Sequence, residues 1–88
     1  MKDLNYQLKR LCRQNRDGSY STQANRSRML DQMAHQLHEL GYRRMGARSI
    51  KPKHVSALTD LWKEQGLSIG SQKNRLSALR WWAGKVGK

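Results

Sequence analysis

The chain has 88 residues and a formal charge of +12, set by 18 Lys and Arg against 6 Asp and Glu. That length holds one domain with a small core, and so large an excess of one sign repels itself unless a polyanion is the partner. It excludes a membrane span, since no apolar run approaches ~18–20 residues, and a secretory signal, since MKDLNYQLKR is polar where an apolar region should follow.

Apolar spacing follows a helical period from end to end, with no window alternating as a strand would. Leu4, Leu8, Leu11 and Cys12 form the first stripe, opened by Asp3 as N-cap and closed near Asn15 by the Asp17-Gly18 turn. A second helix starts after Ser21 or Thr22, buries Leu30, Met33, Ala34, Leu37 and Leu40, and ends at Gly41. A basic connector, YRRMGARSIKPK, follows from Tyr42 to Lys53. Pro52 suits the first turn of a third helix because its missing N–H is not needed there. Val55, Leu58, Leu61 and Trp62 give that helix its buried face, and Gly66 stops it. The fourth helix opens at Ser68 or Ser71. From Leu76, the residues Leu79, Trp82, Ala83 and Val86 fall within an arc of about 120° at the helical 100° per residue. Trp81 points away from that arc, toward Asn74, Ser77 and Lys85, so the two adjacent tryptophans have different roles: Trp82 anchors the core, and Trp81 is partly exposed or covered by another segment. The expected fold is all-α, a compact four-helix orthogonal bundle forming one domain over residues 1–88.

Catalytic constellations are missing. The acids (Asp3, Asp17, Asp31, Glu39, Asp60 and Glu64) are scattered, with no evident carboxylate pair. His35 and His38 lack a third ligand for a metal, and the histidines read as solvated or capping groups. The glycines never gather into a phosphate-cradling loop. Cys12, the single cysteine, sits on an apolar stripe as a small hydrophobe; it forms no internal disulfide, which fits a reducing cytoplasm. No metal or other cofactor is expected. Cations are the remaining signal. The stretch from Leu40 to Leu58 and everything after Glu64 carry no acid, whereas surfaces made only for solubility intersperse both signs. On the fourth helix Lys73, Ser77 and Arg80 share one flank, and these side-chain types reach phosphate oxygens and base edges.

The segment LSIGSQKNRLSALRWWAGKV, from Leu67 to Val86, resembles the last helix of the core-binding domain of tyrosine recombinases, the phage-integrase family. A polar opening leads into basic residues, then Leu76-Ser77-Ala78-Leu79-Arg80, then aromatics, with Trp82 where the family has a buried one. Ser49-Ile50-Lys51-Pro52-Lys53-His54-Val55 looks like the family's lead-in to its third helix, and Tyr20-Ser21-Thr22-Gln23-Ala24-Asn25-Arg26 like that to its second. The resemblance spans nearly the whole chain, is most specific in the last helix, and is nearest to integrases of prophages and integrative conjugative elements. Trp81 and Ala83-Gly84 depart from it, standing where bulkier residues are common beside the buried aromatic.

The resemblance implies a SAM-like core-binding domain that forms one side of a C-shaped clamp on double-stranded DNA. It further implies that the second and fourth helices face the major groove of the core recombination site. Carried over by position, the contact candidates are Thr22, Asn25, Arg26, Lys73, Asn74, Ser77 and Arg80; Arg43, Arg44, Lys51 and Lys53 are phosphate candidates on charge alone. The implied partners are the carboxy-terminal catalytic domain of the same polypeptide and other recombinase protomers on DNA, with no membrane, in a bacterial cytoplasm. The family's catalytic arginines, lysine, histidines and tyrosine belong to the following domain, so this chain should bind DNA without cutting it. Two alternatives stay open on the residues alone: a stand-alone helix-turn-helix or RNA-binding regulator, and a module for an acidic protein partner.

Overall fold

The computed structural model describes residues 3–87, apart from the Asp3 side chain, so the expected Asp3 cap lies outside the described residues. Four α-helices follow in order: α1, Asp3–Gln14; α2, Tyr20–Glu39; α3, Pro52–Glu64; and α4, Ile69–Lys85, with a 3₁₀ turn at Ala47–Ser49 between α2 and α3. Among the described residues there is no strand. Helix α2 packs against each of the other three, and α3 also touches α4. The radius of gyration is 12.2 Å, matching the roughly 12 Å expected of a compact domain this size.

Local chemistry sets the helix limits. Helix α2 starts earlier than the sequence suggested, because Ser19 rather than Ser21 or Thr22 is its cap: the Ser19 hydroxyl accepts the Thr22 N–H at 3.2 Å. Ser68 does the same for α4, accepting from Ser71 at 3.2 Å. Helices α2 and α3 end alike. Tyr42 N–H reaches back to the Leu37 carbonyl and Leu67 N–H to that of Trp62, both at 3.0 Å, while Gly41 and Gly66 take the positive φ that this closure demands.

The core joins Leu4 and Leu8 of α1, Leu30, Met33, Ala34 and Leu37 of α2, Leu58 and Trp62 of α3, and Ala78, Leu79 and Trp82 of α4. Leu40, expected in the stripe of α2, is exposed, because the helix ends there and the chain turns away. The connector, expected to be merely basic, buries Met45, Ala47 and Ile50. Ala47 is tied on both sides: its N–H donates to Gln7 Oε1 at 2.6 Å and its carbonyl accepts the Trp82 indole N–H at 2.7 Å. Gly46 makes room for this, since a Cβ there would meet Gln7 Oε1 at 2.8 Å.

His54 is a buried cap. Its Nδ1 accepts the Lys51 N–H at 2.9 Å, and its ring stands edge-on to Tyr42 with centroids 4.6 Å apart. An acceptor Nδ1 requires the neutral ring. Burial first, and then the charges of Lys53 and Lys51, push its pKa below the ordinary 6.5. As pH falls through that unfolded-state value toward the lower folded one, the unfolded chain takes up the proton first and stability declines. The urea midpoint is therefore expected to drop between pH 7 and pH 5 by more in the native protein than in His54→Gln. Equal slopes would mean that His54 does not titrate as described.

Candidate nucleic-acid interface

Helices α2 and α4 run antiparallel across one side of the molecule. Asp17, just before α2, meets Lys85 at the end of α4, while Gln32 further along α2 is at 3.5 Å from Arg75, nearer the start of α4. Between them lies a groove whose walls carry Thr22, Asn25 and Arg26 from α2 and Asn74, Ser77 and Trp81 from α4, with Met29 and Ala78 in its floor. Five of the residues singled out from the sequence thus converge, although about fifty positions separate the two sets. None of the groove's lining residues is an acid. Thr22, Asn25, Asn74 and Ser77 are exposed, offering hydroxyls and amides that can donate or accept at phosphates and base edges.

The cations of α4 divide by helical phase. Lys73 and Arg80 are exposed on the strip beyond Ser77, outside the groove lining but bordering it. Arg75 turns inward: its guanidinium lies 5.6 Å from the Trp62 ring centre, and Nη1 is buried with no hydrogen-bond partner. Trp62 in turn donates its indole N–H to Gln36 at 3.1 Å. Lys85 is taken up by Asp17 at 2.8 Å. Arg26 stacks on Trp81, 4.4 Å from the ring centre, and donates to the Asp17 carbonyl at 3.1 Å.

Arg43, Arg44, Lys51 and Lys53 gather elsewhere. They line a second hollow around Tyr42 and His54, which shares no lining residue with the groove. All four are exposed, and Lys53 lies over the Tyr42 ring at 5.8 Å. The candidates therefore form two basic surfaces rather than one. Arg28 also lines the groove and was not among the sequence candidates; the Thr22, Asn25, Arg28 spacing of three would have found it.

The other reactive side chains lie apart from this face. His35 Nε2 is 3.6 Å from Asp31 Oδ2, and among the described residues no three His, Cys, Asp or Glu side chains are grouped to hold a metal. Burial raises the Cys12 thiol pKa, outweighing a hydrogen bond to Ser27 and the charge of Arg26, which is the opposite of nucleophile activation. No helix among the described residues is long and apolar enough to cross a membrane.

No curated protein and no solved structure matches the chain. The profile of the family described as phage integrase, N-terminal, does match it, over residues 1–88. That match covers the helices forming the groove, the connector between them and the amino-terminal helix packed on α2. An all-α fold, an acid-free groove between the second and fourth helices, and a family profile spanning every element lead to one assignment: the chain belongs to the phage integrase amino-terminal domain family.

Proposed function

We propose that this domain binds duplex DNA through the α2–α4 groove, as the amino-terminal half of the clamp with which a site-specific tyrosine recombinase holds its core site. The observation that carries the reading is the convergence of Thr22, Asn25 and Arg26 with Asn74 and Ser77 on one acid-free concave face bordered by Lys73 and Arg80. Hydroxyls and amides within the groove suit base edges, and the bordering cations suit the two phosphate strands. Arg43, Arg44, Lys51 and Lys53 form a second phosphate surface, for DNA flanking the groove or for a neighbouring protomer's DNA. Strand cleavage falls to a following catalytic domain of the same polypeptide, so the role of the residues described here is recognition.

The test is duplex binding across a salt series. With about five phosphates neutralised, log K against log salt is expected to have a slope of about −4.5, or roughly 500-fold weaker binding at 200 mM than at 50 mM salt. Binding by this domain is expected to be weak in absolute terms, because on this reading it supplies only one side of the clamp. Indifference to duplex at low salt would overturn the reading and favour an acidic protein partner. A stand-alone regulator would need a dimer surface, and Trp81, half-buried under Arg26, offers little of one; the exposed aromatics among the described residues are Tyr6 and Tyr20.

A further inference from the structure

The acid-free helix α4 acquires an acid from elsewhere. Asp17 reaches it across 64 residues of sequence, and its Oδ2 accepts the Trp81 indole N–H at 2.9 Å. The same oxygen is paired with the Lys85 ammonium at 2.8 Å. Arg26 stands alongside, stacked on Trp81 and hydrogen-bonded to the Asp17 backbone. Hydrogen bonds from Lys85 and then Trp81, with a smaller effect of Arg26, hold the Asp17 carboxyl below its usual range. Yet the side chain is 51% exposed, at the end of the groove that Trp81 helps to line. An ammonium, an indole N–H and a guanidinium around one solvent-facing oxyanion are the donor types that hold a phosphodiester.

We propose that Lys85, the Trp81 indole N–H and Arg26 form a phosphate site for the DNA backbone, which the Asp17 carboxylate fills in the free domain and surrenders on binding. This deepens the clamp reading and rests on it. Exposed ion pairs are weak, so one anion can replace another at little cost, and the exchange sets a threshold that only a well-placed duplex passes. The exchange also has a signature in salt dependence. When a phosphate displaces a carboxylate, the number of anions at the site is unchanged and the site adds almost nothing to the salt slope. Without the carboxylate, the same phosphate adds about 0.9 to it.

The experiment measures binding of a random-sequence 20-base-pair duplex by the native domain, Asp17→Asn, Asp17→Asn with Lys85→Gln, and Asp60→Asn, an exposed acid on α3, across a salt series. Asp17→Asn is expected to bind about three- to fivefold tighter at 0.1 M salt, with a slope steeper by about 0.9; the double variant should return to the native slope. If the native domain binds no duplex, the clamp reading fails and this site with it. If it binds but Asp17→Asn is unchanged or weaker, Asp17 only fastens the loop, and the site is overturned while the clamp reading stands. An equal gain in Asp60→Asn, or a steep slope that survives Lys85→Gln, overturns it as well. Should Asp17→Asn not fold, the native Trp81 indole ¹⁵N–H resonance decides: it should move on duplex addition, and a fixed resonance overturns the site.

Discussion

Reversing the charge at Lys73 and Arg80 together is expected to weaken duplex binding about 100-fold at 0.1 M salt and to reduce the salt slope by about 1.8, the share of two phosphates. Both side chains are exposed on the strip of α4 that borders the groove, so the fold should tolerate the change within about 0.5 kcal/mol. Net charge offers the competing explanation, since the double reversal takes +12 to +8. Arg10→Glu with Arg13→Glu on α1 makes the same change in charge from exposed residues on a helix that contributes nothing to the groove. If position matters, the α1 pair loses far less affinity than the α4 pair. Equal losses would mean that the protein holds DNA by overall charge alone, and the proposed face would have to be abandoned.

The largest stability effect is expected at Trp82. It is fully buried, and its indole N–H donates to the Ala47 carbonyl at 2.7 Å, fastening the connector to α4. Trp82→Ala removes the volume, at about 3–5 kcal/mol, and leaves that carbonyl without its donor, at about 1–3 kcal/mol more. A domain of this size holds only about 4–13 kcal/mol in all, so most of the variant should be unfolded at 25 °C by circular dichroism. Trp82→Phe keeps much of the volume and loses the hydrogen bond, which separates the two contributions. The same Ala change at Trp81, half-buried beneath Arg26, should cost less than half as much. A urea midpoint for Trp82→Ala within 1 kcal/mol of the native value would refute its role as the anchor.

These two expectations concern opposite sides of one helix, and the separation explains how so basic a chain can fold. The core takes the phase of α4 that holds Ala78, Leu79 and Trp82, while Lys73 and Arg80 keep to solvent, where self-repulsion is screened. Arg75 is the exception, drawn inward against Trp62 and Gln32. Neither a charge count nor an apolar stripe singles it out from its neighbours.

What the sequence determined by itself was everything governed by short range. Helical periodicity located four helices, because burial of a face every three or four residues is written in the order of Leu30, Met33, Ala34 and Leu37. Pro52 marked the start of α3, and Gly41 and Gly66 marked two ends. The phase of α4 distinguished Trp82 from Trp81, and the absence of acids over two long stretches indicated the charge of the partner. Even the start of α2 was missed by only two or three residues, since Ser19, Ser21 and Thr22 all carry a hydroxyl fit for a cap.

Only the tertiary structure decided what depends on which distant residues meet. Met45, Ala47 and Ile50 enter the core because Gln7 and Trp82 hold Ala47 from two sides, and no periodicity within the connector announces that. The groove exists because α4 lies antiparallel on α2, which sets Asn74 and Ser77 opposite Thr22 and Asn25; the same packing leaves Arg43, Arg44, Lys51 and Lys53 on a surface of their own. Asp17, an isolated turn residue in the sequence, becomes the partner of Lys85 and Trp81. Capping, phase and charge are properties of neighbours along the chain. Juxtaposition is set by how all four helices share one core.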